Sequence, residues 1–208
     1  MSQPERDKNH YHHGDLERAL TIAAAELIGE EGLTGFSLAK TARRAGVSSA
    51  APYRHFRDKE DLLRAVTHLA YYELAIRCEA AIASLPEGSN ERIYTLGETY
   101  VTFMLEHAAF YELMWGTAHQ QHWGEDGLNN PCAHTFHLLL DTVIQWCEQN
   151  RIASDTPMNI ALRMWASTQG LATLSIGGHL HRFQADTCPL ALYRSNCEVM
   201  LAGLLQTG

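Results

Sequence analysis

The stretch "GVSSAAPYRHFRDKEDLL" at residues 46–63 decides how the first third of this chain folds. It carries four small residues at 48–51, then a proline, then the bulky run Tyr53–Phe56. A proline in the first turn of a helix costs little, because its missing N–H would have no intrahelical partner there. The pattern predicts a short third helix, capped by Ser48 or Ser49, whose N-terminal end carries only small side chains.

Helical patterns flank this stretch on both sides. Apolar residues with a 3.6-residue period predict a helix over 15–31, with Asp15 as its cap. Ser37 is placed to cap a second helix, "LAKTARRA", and Asp58 is placed to cap a long fourth helix. Two short helices joined by "AGVS" in a locally basic segment match a helix-turn-helix, whose second helix enters the DNA major groove N-terminus first.

The rest of the chain also predicts helices. The row of Leu96, Tyr100, Phe103 and Met104 indicates one helix, and "AFYELMWG" indicates a shorter one. Further helix starts are predicted at Asn130-Pro131 and Thr156-Pro157, a helix end at Gly177-Gly178, and a final helix from about Pro189 to Leu205. No segment alternates with period two over the length of a strand.

The predicted fold class is therefore all-α. An N-terminal three-helix helix-turn-helix domain is joined by the long fourth helix to a helical bundle. We expect an N-terminal arm and DNA-binding domain at 1–68, and a ligand-binding and dimerisation domain at 69–208.

Charge is distributed unevenly between these two parts. The net charge is −8, but residues 1–68 hold ten Lys/Arg and ten Asp/Glu, and the remaining residues hold six and fourteen. Residues 37–64 carry seven basic side chains against three acidic ones. A locally basic segment on an acidic body can bind phosphate while the body stays away from it.

Two features indicate a cytoplasmic protein with no membrane partner. The first residues are polar, and no apolar run approaches the length that spans a bilayer. The five cysteines are odd in number and contain no CxxC pair, so we expect buried apolar thiols rather than a disulfide framework.

The chemistry of residues 48–59 suggests how DNA is held. Small side chains let the helix N-terminus approach a groove closely, while Tyr53 and His55 can donate hydrogen bonds to flanking phosphates. Lys59, in the first turn of the fourth helix, can reach the DNA backbone with its charge, and the helix N-terminus adds partial positive charge. The predicted DNA-binding residues are Ser37, Lys40, Ser48, Ser49, Ala50, Ala51, Tyr53, Arg54, His55 and Lys59.

This arrangement resembles the DNA-binding domain of TetR-type transcriptional regulators over about residues 14–68. The matching features are Phe36, Ala42, Gly46-Val47-Ser48, Tyr53-Arg54-His55-Phe56 and Lys59-Glu60-Asp61-Leu62-Leu63, and the lead-in "HYHHGDL" also looks familial. The resemblance implies a homodimer whose two helix-turn-helix units bind a near-palindromic operator, and a ligand in the C-terminal domain that changes their spacing. We expect a repressor.

The second domain resembles the C-terminal subtype named for its Trp-His-Gly pattern, through "HAAFYELMWG" and "WASTQGLATLSIGG". Trp165 and Gly170 match that pattern, whereas Gln169 stands where the name expects His. The resemblance implies that the last two long helices form the dimer interface. Small residues that would allow close packing there are Ala166, Ser167, Gly170, Ala172 and Ser175.

Large aromatic and methionine side chains are frequent between residues 100 and 165. Most are expected to be ordinary core, and a subset is expected to line a cavity for a small, largely apolar ligand, with no cofactor. The predicted lining residues are Tyr100, Phe103, Met104, His107, Tyr111, Met114, Trp115 and Trp165.

A metal-responsive regulator is the alternative hypothesis. Histidine and cysteine are plentiful in the second domain, at His107, His119, His122, Cys132, His134, His137, His179 and His181. His134 and His137 have the i, i+3 spacing that can bind a metal on one helix face, although solvent-facing or hydrogen-bonded histidines are the favoured interpretation. An enzyme is not expected, since the sequence has no HExxH, nucleophile motif, paired carboxylates or phosphate loop.

Overall fold

The computed structural model describes residues 8–116, 133–152 and 157–207, and within these ranges the chain is helical without a strand. The elements are α1 (Lys8–Gly35), α2 (Leu38–Arg44), a 3-10 helix (Pro52–Arg54), α3 (Lys59–Ile82), α4 (Asn90–Glu106), α5 (Ala108–Trp115), α6 (His134–Asn150), α7 (Pro157–Ile176), α8 (His179–Phe183) and α9 (Pro189–Thr207). The all-α prediction is confirmed.

The described residues pack as two units. The first lies within Met1–Ala70 and Ala109–His122, and the second within Tyr71–Ala108 and Trp123–Gly208. The boundary falls inside α3, and α5 packs from its second residue onward with the first unit. The functional division at residue 68 stays a prediction.

The core of the first unit is built around α1. Leu20, Ala24 and Ile28 are fully buried at four-residue spacing and face Phe36 and Phe56 in one apolar cluster. The predicted start at residue 15 was too late, so Asp15 lies inside the helix and does not cap it, whereas the predicted end at residue 31 falls directly before the kink at Gly32. No proline interrupts the chain between residues 8 and 31, and the helical run is broken only at Gly32, where φ is 72°.

Both ends of α2 are set by local interactions. Ser37 caps α2 by accepting a hydrogen bond from the Lys40 backbone N–H. At the other end, the Gly46 N–H donates to the Arg43 carbonyl and the Val47 N–H donates to the Ala42 carbonyl, which is the Schellman arrangement. Gly46 has a φ of +69°, which an L side chain rarely adopts, so glycine is required by the turn itself.

The predicted third helix is present as a short 3-10 helix, and its predicted cap is wrong. Residues 48–51 form a turn in which the Ala51 N–H donates to the Ser48 carbonyl, and only the 3-10 helix Pro52–Arg54 follows. Ala51 occupies its N-cap position without a side-chain cap, so neither Ser48 nor Ser49 caps a helix. The chain leaves the helix early because Phe56, four residues after the proline, is buried in the core at 4% exposure.

The start of α3 is capped as predicted. The Asp61 N–H donates to Asp58 Oδ1 at 2.8 Å. The Asp61 carboxylate accepts hydrogen bonds from the Arg57 backbone N–H at 3.0 Å and from Arg64 Nη2 at 2.7 Å. The backbone hydrogen bond from Arg57, followed by the side chain of Arg64, lowers the pKa of Asp61 to about 2.

The second unit packs α4 against α7 and α9, and α6 against α7. Trp146 and Tyr193 are its largest fully buried side chains, and the Trp146 indole N–H donates to Asn90 Oδ1 at 2.6 Å. A Cβ at Gly97 would lie 2.0 Å from the Tyr193 ring, so only glycine lets this ring lie against α4. The predicted starts of α7 at Pro157 and of the final helix at Pro189 are confirmed.

An arginine ties α9 to α4 at the same contact. Arg194 Nε donates to Glu98 Oε1 at 2.6 Å, and Arg194 Nη2 donates to Glu91 Oε1 at 2.9 Å. The guanidinium carbon lies 5.0 Å from the centroid of the Tyr94 ring. The sequence did not predict this network, nor the short helix α8, which has no buried residue and therefore no apolar period.

Two expectations about environment can be compared with the described residues. Cys78, Cys147 and Cys197 are buried as expected, and burial raises the pKa of the Cys78 thiol to about 12. Cys188 is exposed instead, and Cys132 lies outside the described residues. Among the helices that the structure describes, none has the length and apolar character needed to cross a bilayer.

The Asp61 site leads to a prediction about acid stability. Asp61→Asn should lower the free energy of unfolding by about 1 kcal/mol at pH 7, since the side chain is 23% exposed and partly screened. A carboxyl with a lowered pKa stabilises the fold above the ordinary value of 3.8 and loses that contribution as the pH falls toward about 2. Urea unfolding at pH values from 7 down to 3 should therefore show the two proteins converging.

Asp141→Asn is the matched control, because it makes the same change at an exposed position on α6. A difference between wild type and Asp61→Asn that stayed constant across this pH range would contradict the assignment.

Candidate nucleic-acid interface

The turn before the 3-10 helix presents small side chains on the surface. Ser48, Ser49 and Ala50 are exposed, and Tyr53 and Arg54 follow them as exposed large residues, Tyr53 at 63%. These five exposed residues lie in one short segment, on either side of the buried Ala51 and Pro52. Small exposed side chains at residues 48–50 leave room for a groove edge, and a hydroxyl and a guanidinium follow them along the chain.

Three other predicted DNA-binding residues are buried or partly buried rather than exposed. Ala51 is buried at 9% exposure, so its side chain does not reach the surface. The Ser37 hydroxyl already accepts the hydrogen bond that caps α2, and His55 is partly buried. Their roles are consistent with holding the local fold, and direct contact with DNA stays a prediction for each.

Lys40 and Arg44 are committed to carboxylates of α1. Lys40 Nζ lies 2.5 Å from Glu31 Oε2 and also donates to the Gly35 carbonyl at 2.8 Å. The Arg44 guanidinium makes a bidentate contact with Glu30: Nη1 donates to Oε1 at 2.7 Å and Nη2 donates to Oε2 at 2.5 Å. The hydrogen bond from Arg44 lowers the pKa of Glu30. Both cations therefore have an intramolecular partner before DNA arrives.

A similar arrangement holds the cations around the start of α3. Arg57 and Arg64 both contact the Asp61 carboxylate. Of the seven basic residues between 37 and 64, only Arg43, Arg54 and Lys59 form no ion pair within the described part of the chain. All three are exposed, so they are the cations that can be offered to phosphate without breaking an existing pair.

Arg43 is an exposed cation that the predicted contact set does not include. It lies in the last turn of α2, next to Arg44, and the two cannot be ranked from sequence alone. The difference arises because α1 supplies its carboxylates to Arg44. Arg43 precedes it by one residue, about 100° around the helix axis, and receives none among the described residues.

The predicted ligand-lining residues divide between the two units. Tyr111, Met114 and Trp115 belong to the first unit, and Tyr100, Phe103, Met104, His107 and Trp165 belong to the second. In the second unit the first three of these side chains are buried, and the ring of Phe103 lies 4.8 Å from that of His107. Whether these residues bind a ligand stays a prediction.

Gln169 has a defined partner in the second unit. Its side-chain oxygen accepts a short hydrogen bond from the Tyr100 hydroxyl, which joins α7 to α4. Tyr100 is buried at 6% exposure, so this hydrogen bond lies in the packed seam between α4 and α7. The residue that departs from the Trp-His-Gly pattern thus makes an interhelical hydrogen bond, and the subtype itself stays a prediction.

The histidines of the metal hypothesis are placed only in part. His134 Nε2 lies 2.7 Å from Glu79 Oε1, on neighbouring exposed side chains. Within the described residues, no group of three or more His, Cys, Asp or Glu side chains is arranged to hold a metal ion. His119, His122 and Cys132 lie outside the described residues.

Comparison with known families covers both units. The model of bacterial regulatory proteins of the tetR family matches residues 20–66, and that of the tetracyclin repressor-like C-terminal domain matches residues 93–194. The first match contains α2, the exposed surface at 48–54 and the start of α3. Both matches agree with the resemblance to TetR-type regulators and with the expectation that the chain is not an enzyme.

Individual proteins are similar to this chain in sequence or in fold. The HTH-type transcriptional regulator BetI of Escherichia coli is 39% identical over 75 residues, which cover 36% of this chain but only 38% of BetI. A solved protein of unknown function from Rhodococcus sp. RHA1 is 29% identical with a TM-score of 0.79, covering 94% of this chain and 98% of that one.

A third relative is similar in fold alone. FadR from Bacillus subtilis, solved in complex with stearoyl-CoA, is 16% identical with a TM-score of 0.67, covering 89% of this chain and 98% of that one. With a family match to each of its two units and the helix-turn-helix in place, the chain belongs to the TetR family of bacterial regulatory proteins.

Proposed function

We propose that this protein is a DNA-binding transcriptional repressor of the cytoplasm, which acts as a homodimer and responds to a small, largely apolar molecule. The observation that carries the DNA-binding part is the surface at 48–54 together with three cations that have no carboxylate partner in the described residues. The match to the tetR family model over residues 20–66 supports the same assignment.

The proposed contacts divide into those that position the protein on the DNA backbone and those that recognise the base sequence. Arg43, Arg54 and Lys59 supply charge to phosphates, and the Tyr53 hydroxyl adds a neutral donor. Ser49 and Ala50 are short enough to approach base edges, where a hydroxyl can exchange hydrogen bonds and a methyl group can contact thymine. Affinity is therefore assigned to the large side chains and sequence preference to the small ones.

Exposed faces of α7 and α9 support the homodimer. On α7, Leu162, Ala166, Gly170 and Leu174 are exposed at four-residue spacing, and on α9 Leu192, Val199 and Gly203 are exposed on one face. Apart from the backbone of its own helix and its chain neighbours, a Cβ added at Gly170 or Gly203 would meet no heavy atom within 4 Å among the described residues of this subunit. Glycine inside a helix costs about 1 kcal/mol relative to alanine, so its presence where the subunit leaves space favours close approach of a partner helix.

The effector is assigned to the second unit. Tyr100, Phe103 and Met104 place large apolar surface on α4, and Gln169 adds one polar group to the same seam. Pockets for small molecules combine a mostly apolar lining with a few polar groups that fix orientation. FadR, a protein similar in fold, was solved in complex with stearoyl-CoA, and this complex supports an apolar ligand here as well.

The first prediction compares two lysines that differ in their partners. Lys59→Gln should reduce the slope of log affinity against log salt by about 2 per dimer, because each subunit loses one phosphate contact of roughly 0.9. Lys40→Gln should change the slope less, since its ammonium is already paired with Glu31. Fluorescence anisotropy with a labelled DNA duplex, titrated at several salt concentrations, measures both slopes.

Circular dichroism of the two variants controls for folding. Equal slopes for Lys59→Gln and wild type would contradict the assignment of Lys59 to phosphate.

The second prediction concerns the two-fold interface. Gly170→Leu should raise the dimer dissociation constant at least tenfold, because the side chain would intrude between closely packed helices. Analytical ultracentrifugation over a concentration series measures this change. Gly29→Ala is the control, since it also alters a helical glycine but lies in the first unit with only an ordinary 4.0 Å contact to Phe110.

A dimer whose dissociation constant is unchanged by Gly170→Leu would place the interface elsewhere. A wild-type monomer that still bound DNA tightly at micromolar concentration would refute the homodimer altogether.

The third prediction tests effector sensing. Hydrophobic compounds, stearoyl-CoA among them, should change tryptophan fluorescence and shift DNA affinity by roughly 5–150-fold. Gln169→Leu should weaken the response to a polar-headed compound by about tenfold, which is the value of one buried hydrogen bond. Gln149→Leu, at an exposed position on α6, is the control.

Compounds that bind without changing DNA affinity would show that the second unit is an interaction module rather than a sensor.

A further inference from the structure

We infer that Phe36 is a positioning residue for DNA binding, because its ring holds the Lys59 ammonium in place while leaving its charge available to phosphate. This inference rests on the proposed role of Lys59 as a phosphate contact. It assigns to a core aromatic residue a second role besides packing.

The geometry involves one buried and one exposed partner in the first unit. Lys59 Nζ lies 5.3 Å from the centroid of the Phe36 ring. Phe36 is buried at 3% exposure within the apolar cluster around α1, so its ring is fixed by its neighbours. Lys59 is exposed and is the first residue of α3. A cation within about 6 Å of a ring centroid is attracted by the negative face of the ring.

The neighbours of Lys59 explain why such a contact matters. Asp58 precedes it and Glu60 follows it, so two carboxylates lie next to it along the chain. Other cations of this unit do pair with carboxylates, as Lys40 does with Glu31. A carboxylate would neutralise the ammonium and would have to be displaced by phosphate. An aromatic ring carries no net charge, so it restrains the ammonium and leaves the full positive charge for DNA.

Restraint also lowers the cost of binding. A free lysine side chain loses roughly 2 kcal/mol of rotamer entropy when it is ordered, and a side chain that is already positioned loses less on binding. Phe36 directly precedes Ser37, the N-cap of α2, so one anchored segment positions both the start of α2 and the ammonium at the start of α3. Phe36 thereby couples the fold of the helix-turn-helix to the placement of one charge.

The test replaces Phe36 by pentafluorophenylalanine in the full-length protein, which keeps the ring's shape and removes its attraction for cations. Affinity for a mixed-sequence DNA duplex should fall roughly two- to five-fold. The salt slope should stay unchanged, because the charge of Lys59 is still present. In a Lys59→Met background the same fluorination should have no effect on affinity.

Fluorination of Phe56 is the matched control. It is buried in the same cluster at 4% exposure, and no cation lies over its ring in the described part of the chain. Urea unfolding of each protein separates a loss of stability from a loss of DNA affinity.

Two results would overturn the inference, and they are distinguishable. An equal loss of affinity on fluorinating Phe36 with and without Lys59→Met would show that the ring acts only through packing. If the Lys59→Met protein kept the affinity and the salt slope of wild type, Lys59 would not contact phosphate. The proposed role of Lys59 would then fail together with the inference.

Discussion

The burial of two phenylalanines against α1 is the constraint on which the first unit depends. Phe36 enters the core just before α2, and Phe56 enters it just before α3. The segment between these two phenylalanines is therefore anchored in the core at both ends. The 3-10 helix, the exposed turn at 48–50 and the cap at Asp58 all lie within or directly beside this segment. Their positions therefore depend on the apolar core more than on their own helical propensity, which is weak over so few residues.

The second requirement of this unit is electrostatic. A surface that binds DNA must concentrate cations without destabilising the fold through mutual repulsion. The protein meets both conditions by pairing part of the basic cluster with carboxylates, as Arg44 is paired with Glu30 and Arg64 with Asp61. These pairs are exposed and contribute little stability individually. Their effect is selective, because among the described residues they leave a small subset of cations without a carboxylate partner.

The limits of sequence reasoning follow from the range of each interaction. Ser37 and Asp58 could be predicted as caps because each acts on a backbone N–H three residues away. The pairing of Lys40 with Glu31, nine positions earlier, and the burial of Ala51 depend on how α1, α2 and the 3-10 helix pack. The same packing shortened the third helix. The exposed small and large residues at 48–54 were predictable, whereas the cations left without a carboxylate partner among the described residues were not.

In the second unit, two adjacent residues of α9 couple that helix to α4. The Tyr193 ring fills the space above Gly97, and Arg194 bonds Glu91 and Glu98 on either side of it. Sliding α9 along α4 would break these charged hydrogen bonds and press the ring against the α4 backbone. The two helices must therefore shift together. In the proposed regulator, a ligand that prefers one position of α4 would shift α9 as well, and only its unequal affinity for the two arrangements could change DNA binding.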